Sequence, residues 1–363
     1  MPSIAFSWYG LPQFAARQFR SALDHLGEDC AVIGSKPFVP VKGMEQALRH
    51  PIHWIDAGKS ASWAELGLDV PQLFFQQGWA YPGFSALGAE VKQRGGRVVG
   101  ICDANWRRDF RQLVLGAAAF RLKYGRYFDA MLVPGRQGQR LMRWFGLPPE
   151  RVRCGMLGAD PSLFSGGPSL TSRPPVFLFT GQFIRRKDVL GLAQAFLRFA
   201  ARHPEWRLHL VGGGPQRDFI PSDPRILVED FVQPERLAER YQGARFFVLP
   251  SLMEPWGVVV HEAALCGCGL VLSDKIGSAD DLCSPLNGVR FRAGDIGSLE
   301  NALEEAAGFS GPALRAAEAE SRRLASQFGP DRFAREAVRL VRDLSQTQRA
   351  ARIATGSLPG GYQ

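Results

Sequence analysis

Short apolar runs that alternate with amphipathic stretches restrict the fold of this chain more than any single residue does. In the first half the runs fall at 4–8, 31–34, 73–76, 97–102 and 130–134, with helix-like stretches between them at 14–26 and 135–145. The second half is more regular. Residues 176–181, 207–212 and 246–251 read as strands, and 189–202, 234–242 and 257–266 as helices. Leu192, Phe196 and Phe199 fall on one face of the first of these helices. An unbroken apolar run suits a strand buried on both sides, and parallel strands of that kind are joined by crossover helices. The rhythm therefore predicts an α/β chain with two parallel sheets. A length of 363 residues is enough for two domains. The expected boundaries are a first domain over 1–160, a Pro/Gly/Ser-rich linker over 161–175 (PSLFSGGPSLTSRPP) and a second domain over 176–330. A helix over 331–345 closes the pattern, free to pack back on the first domain. Residues 346–363 lack an apolar face and read as a disordered tail.

Composition narrows the function classes. No apolar run approaches the ~18 residues of a membrane span, and the start, MPSIAFSWYGLPQF, has neither a basic leader region nor a small-residue cleavage site. The six cysteines show no paired metal spacing, and Cys266-Gly-Cys268 reads as packing inside an apolar helix. The expectation is a cytoplasmic protein with reduced thiols and no bound metal. The net charge of +9 is uneven: residues 1–160 hold 20 Lys and Arg against 13 Asp and Glu. A basic first half suggests an acidic partner.

The stretch EPWGVVVHE sets two carboxylates, Glu254 and Glu262, around a glycine and three valines. It follows a buried strand and opens a helix, so the first N–H groups of that helix, at Gly257, Val258 and Val259, are free to hold a phosphate. Glycine lets the phosphate come close. The acids themselves repel phosphate but accept hydrogen bonds from sugar hydroxyls. Glu262, one turn beyond Val258, leans back along the helix toward one side of the phosphate. Glu254, in the preceding turn, serves the other side. The spacing thus fits a diphosphate with a hydroxyl-bearing ring at each end. A surface-turn Glu254 and an ion-paired Glu262 fit it as well.

EPWGVVVHEAALCGCGLVLSD resembles the E-x7-E signature of the retaining glycosyltransferases of family 4, which have the GT-B fold of two Rossmann-like domains facing across a cleft. Further stretches are similar to that family in the same order: LGAD at 157–160 with Leu163-Phe164, FTGQFIRRK at 179–187, LVGGGP at 210–215, and CSPLNGVRF at 283–291 after SDKIG at 273–277. The likeness covers residues 155–310 and is only architectural over 1–130. It implies hexosyl transfer from a nucleoside-diphosphate sugar to a hydroxyl acceptor on a glycan, a lipid-linked molecule or an envelope component. The sugar nucleotide would be a substrate, with no cofactor and no metal. By the same matching Lys187 neutralises the departing diphosphate, Glu254 holds the donor sugar and Glu262 the ribose. Backbone near Phe231 and Val232 reads the base, Gly212, Gly213 and Gly214 border that pocket, Gly181 belongs to the donor site, and Gly10 approaches the phosphates from the first domain. Gln182 stands where the family usually has arginine, which leaves Arg185 or Arg186 to supply that charge. Cys102 stands where many relatives have histidine, and Asp103 beside it is the candidate polar group for the acceptor hydroxyl. A helix N-cap is an equal reading of Asp103.

Arg136, Arg140 and Arg143 share one helical face, with Leu141, Trp144 and Phe145 on the neighbouring arc. Arg107, Arg108, Arg111, Arg121, Lys123 and Arg126 lie just upstream. A face of this type suits peripheral contact with an anionic membrane on its inner side. A solvated surface is the plainer reading, and nucleic-acid binding has no motif behind it. Two other functions share the architecture: a catalytically silent sugar-nucleotide-binding protein and a nucleotide-sugar epimerase. A nicotinamide-dependent oxidoreductase is disfavoured, because Arg217 occupies the last glycine position of a dinucleotide fingerprint begun by Gly212.

Overall fold

The computed structural model describes residues 3–354 apart from 28, 38, 39, 105 and 108, and side chains as far as 346. Arg108 and the last residues of the tail, 355–363, lie outside the described residues. Seven parallel strands form the first sheet: β1 (Ile4–Trp8), β2 (Cys30–Gly34), β3 (His53–Trp54), β4 (Leu73–Gln77), β5 (Arg97–Ile101), β6 (Ala130–Val133) and β7 (Val152–Cys154). Their spatial order is β3-β2-β1-β4-β5-β6-β7. Six parallel strands form the second: β8 (Val176–Thr180), β9 (Arg207–Val211), β10 (Ile226–Glu229), β11 (Phe246–Leu249), β12 (Gly269–Ser273) and β13 (Gly288–Phe291), in the order β10-β9-β8-β11-β12-β13. Each sheet starts at an inner strand, builds outward on one side, then returns to build on the other. The two are GT-B domains.

Alternate residues of β1 serve different cores. Ile4, Phe6 and Trp8 join a cluster that continues through Met156, Leu157, Ala159 and Phe164 into the second domain. Ala5 joins a separate cluster with Phe74, Phe84 and Val98 on the opposite face of the first sheet. The β8 run VFLFT and the β11 run FFVL are buried almost throughout, as strands covered by helices on both sides must be.

The stretch 161–175 is pinned rather than loose, contrary to its composition. Phe164, Leu170 and Arg173 are buried. The Arg173 guanidinium donates to the carbonyls of Pro168 (3.1 Å), Tyr241 (3.0 Å), Ala244 (3.1 Å) and Cys266 (2.6 Å). Neutral carbonyl dipoles answer a cation that would be too costly to bury alone. The expected disorder beyond 345 is also corrected: the last helix runs Pro330–Ala354. Its extension, QTQRAARIA, is built largely of strong helix formers, and an existing helix adds residues without a new nucleation cost.

That helix returns to the domain in which the chain began. Phe333, Ala334, Ala337, Leu340 and Val341 are buried in the larger core, and the Phe333 ring meets those of Phe6 (6.2 Å) and Phe19 (5.7 Å). The chain thus crosses between domains twice. At the crossing Gly158 abuts the backbone of Gly329, with no room for a Cβ. Truncating Phe333 to alanine leaves a cavity between the last helix and the first domain, and should cost about 3–5 kcal/mol of stability. Equilibrium urea unfolding measures this, and a loss below about 1 kcal/mol would mean that the ring does not anchor the helix.

Candidate functional site

In an open parallel sheet ligands lodge beyond the carboxyl ends of the strands, where the strand order reverses. In the second sheet that point lies between β8 and β11. After β8 the chain turns through Gly181 to a short 3-10 turn, Arg185–Lys187. After β11 it reaches Ser251 and Glu254. The two loops meet. Lys187, buried beneath the turn, ion-pairs with Glu254. Arg186 Nη1 donates to the same carboxylate oxygen at 3.1 Å and to the Met253 carbonyl at 2.9 Å. Ser251 Oγ also donates to that oxygen, at 3.3 Å. The Leu252 N–H binds the Arg186 carbonyl (2.8 Å), which locks loop to loop. Of the two arginines left open by the sequence, Arg186 reaches Glu254, whereas Arg185 is exposed.

A cavity of about 440 Å³ opens beside this cluster, between the domains. Gly181, Gly212, Gly213, Phe231, Val232, Val259 and Glu262 line it from the second domain, and Pro12, Gln13, Phe14 and Arg17 from the first. Gly212 has φ +145°, and a Cβ there would overlap the Gly181 carbonyl oxygen, so this turn requires glycine. A Cβ on Gly213 would meet nothing within 4 Å, so that residue fronts open space. The Gln13 amide donates to Glu235 Oε1 (2.5 Å) and the Gln233 amide to the Pro40 carbonyl (2.9 Å), joining the domains around the cavity.

At the cavity wall the Tyr241 hydroxyl donates to Glu262 Oε2 (2.7 Å) and lies 2.8 Å from Thr180 Oγ1. Burial pushes the Glu262 carboxyl up from 4.5 to about 7, and the Tyr241 bond holds part of the rise back. Burial also raises Tyr241, so the phenol keeps its proton. Glu262 belongs to the helix Val258–Leu265, which Gly257 precedes. Gly257 and Val258 do not line the cavity; Val259 does. His261 fixes this helix. Its Nδ1 accepts the Ala159 N–H (2.8 Å), and its Nε2 lies 2.9 Å from the Ala325 carbonyl. Burial lowers its pKa to about 4, so the ring is neutral, with the proton on Nε2.

Across the cleft, Asp103 follows β5. The surrounding protein raises its pKa through desolvation first, a backbone hydrogen bond opposes this, and the negative Glu254 adds to the rise. Further along, among the described residues, Asp109 Oδ1 accepts the Gln112 N–H at 2.8 Å. Near Asp103, Tyr9 stacks on Tyr81 with centroids 4.0 Å apart, and burial together with Asp103 pushes Tyr81 up to about 12. Cys102 is buried, and its thiol is also raised to about 12. Gly10 lies in the turn after β1, its N–H bound to Ser35 Oγ at 2.7 Å, and does not line the cavity.

Two arginines of the basic face read as a membrane contact are engaged by the second domain. The Arg136 N–H donates to Asp281 Oδ2 (3.0 Å), its Nη1 to the Asp280 carbonyl (3.0 Å), and Arg140 Nη1 to Asp280 Oδ2 (3.2 Å). Two acids from a distant part of the chain take up these arginines; Arg143 stays exposed. Tyr241, Thr180 and the helix start Pro12–Arg17 were not singled out from sequence. A threonine directly before Gly181 and a proline directly before a helix are the faint signals they left.

The sequence profile of the family described as "Glycosyl transferases group 1" matches residues 174–307. Among curated proteins the chain is similar to a D-inositol 3-phosphate glycosyltransferase of Acidothermus cellulolyticus, 26% identical over 251 residues, covering 62% of this chain and 53% of that one. A D-inositol 3-phosphate glycosyltransferase 2 of Catenulispora acidiphila is 31% identical over 229 residues, covering 51% of this chain and 53% of that one. The chain thus spans about half the length of these curated relatives. Among solved structures it resembles sucrose-phosphate synthase from Thermosynechococcus elongatus, with a TM-score of 0.69 and 19% identity over 96% of this chain and 100% of that one. It also resembles Anabaena HepE in complex with UDP and glucose, with a TM-score of 0.72 and 16% identity over 94% of this chain and 100% of that one. The chain is a two-domain protein of GT-B fold whose second domain carries the group 1 glycosyl transferase sequence match.

Proposed function

We propose that this protein is a retaining glycosyltransferase that moves a hexosyl unit from a nucleoside-diphosphate sugar to a hydroxyl acceptor. The convergence of Lys187 and Arg186 on Glu254 at the strand-order reversal, beside a glycine-lined cavity, carries the reading. Two cations there would meet a diphosphate together with the free N–H groups of Gly257, Val258 and Val259. Charge builds on the diphosphate as its bond to the sugar breaks, and fixed cations are worth most at that moment. In this scheme Lys187 and Arg186 supply the charge from the chain itself. Glu254 holds a sugar hydroxyl, Glu262 the ribose, and Phe231 with Val232 the base. Asp103 would take a hydrogen bond from the acceptor hydroxyl and orient it. A carboxylate whose pKa is raised is the better hydrogen-bond acceptor.

The experiment is incubation with UDP-, GDP- and ADP-hexoses, reading thermal stability, nucleotide release and the anomeric configuration of the product. One donor at saturation should stabilise the protein by about 2–4 kcal/mol. Lys187→Ala should lower kcat/KM by roughly 10²–10³-fold, Glu262→Ala should weaken donor binding, and a chelator should change neither. Stabilisation without release in the presence of acceptor extracts would favour the silent binding protein. A rearranged sugar nucleotide would favour an epimerase, and an inverted product would overturn retention.

Glu262 also makes a pH prediction without substrate. Its folded pKa is raised, so between about 4.5 and 7 the folded chain holds a proton that the unfolded chain has lost. Stability should fall with rising pH across that window and level off above it. Glu262→Gln removes the effect, so the difference in melting temperature between variant and wild type should grow from pH 4.5 to 7. A difference that does not change with pH would place the carboxyl at its ordinary value.

A further inference from the structure

The helical stretch after Asp103 has an outer face that a soluble helix does not need. It runs through a π-helical turn, Arg111–Gly116, into the α-helix Ala117–Lys123. Gln112, Ala117 and Phe120 face inward and are buried. On the other side Val114, Leu115, Ala118, Ala119 and Leu122 are all exposed, at the spacing of one helical arc. Leu122 is 87% exposed, Leu115 58%, and Phe110, just before the stretch, 70%. A surface helix normally keeps its apolar residues on the inner face alone, and a continuous outer apolar patch marks a contact. Trp144, also exposed, extends the patch: its indole N–H donates to the Leu113 carbonyl (2.7 Å), and its ring meets Trp106 edge-on at 5.8 Å.

The rim is cationic. Arg107, Arg111, Arg121, Lys123, Arg126 and Arg143 are exposed. Asp109 is the single acid in the sequence from 104 to 128, and it pairs with Arg107 at 3.2 Å. Arg121 is held by the carbonyls of Trp144 (2.7 Å) and Phe145 (3.3 Å), dipoles that leave its charge uncompensated.

We propose that this face docks on an anionic lipid bilayer, with Phe110, Val114, Leu115 and Leu122 entering the interface and the arginines and Lys123 meeting the headgroups. An apolar arc flanked by cations matches the layering of such a surface. A second copy of the chain would set this positive rim against itself. A single-stranded nucleic acid would need aromatic platforms for its bases, whereas this arc is mainly aliphatic. The patch borders the cleft: Arg107 Nη1 lies 3.9 Å from the sulfur of Met253, the neighbour of Glu254. With the first domain seated in this way the cleft would open at the lipid surface, and the acceptor would be an amphiphile held there. The acceptor class rests on the transferase reading; the docking surface does not.

Co-sedimentation of the full chain with vesicles of phosphatidylcholine, alone or mixed with phosphatidylglycerol, tests the surface. At least about tenfold stronger partitioning is expected with the anionic lipid, falling with salt. Phe110→Ser combined with Leu122→Ser should abolish most of it without changing the melting temperature, because both side chains are exposed. Arg111→Gln with Lys123→Gln should remove the preference for anionic lipid, whereas Arg136→Gln should leave it intact. Equal binding to both vesicle types, or a serine variant that partitions like the wild type, would overturn the proposal. So would a concentration-dependent dimer that the serine substitutions abolish in the absence of lipid, since the patch would then be an interface between copies.

Discussion

A single constraint of parallel sheets organises the molecule. When all strands run one way, every turn from strand to helix emerges at the same edge. Both sheets also start from an inner strand and reverse direction once, which leaves a crevice at that edge in each domain. Setting the two edges opposite each other produces the cleft. Gly181, Lys187, Gly212 and Glu254 then occur together because they follow β8, β9 and β11, strands that the order places side by side. On the facing edge, Tyr9 and Gly10 follow β1, Gln77 ends β4 and Asp103 follows β5.

Electrostatics within that cleft are unequal by construction. Glu254 sits under two cations, so its charge is answered locally. Glu262 accepts from a phenol that in turn meets a threonine hydroxyl, and burial lifts its carboxyl to about 7. Two glutamates eight positions apart in one motif thus sit in different surroundings: Glu254 is met by two cations, whereas burial raises the Glu262 carboxyl. The neutral His261 between them serves neither acid. It ties the Glu262 helix to Ala159 and Ala325, the segments through which the chain passes from one domain to the other.

Much of this was legible from residue patterns. The inner strands could be read because burial on both sides demands unbroken apolar runs, and β1 and the helix Pro234–Gln242 fell where expected. The edge strands β3, β7, β10 and β13 were missed, since two to four residues at a sheet edge carry too little periodicity. β12, GLVLS, was hidden inside the stretch quoted for its motif. Pairing was the hardest part. Lys187 and Glu254 lie 67 residues apart, and only the adjacency of β8 and β11 brings them together. Arg136 and Arg140 were correctly placed on one helical face, but their partners, Asp280 and Asp281, stand about 140 residues later and no local pattern announces them. Composition marked 161–175 as a linker but gave no sign that one buried arginine holds the segment down.

The contact between Gly158 and Gly329 has a mechanical consequence. Two bodies joined by one flexible thread can swing, slide and swivel freely. Here two threads pass side by side, touching backbone to backbone, and each is anchored on both sides. Sliding or twisting one domain on the other would shear one thread against the other. Rotation about the line through the pair shears neither. The paired crossing therefore resists sliding and twisting of one domain on the other more than it resists rotation about itself.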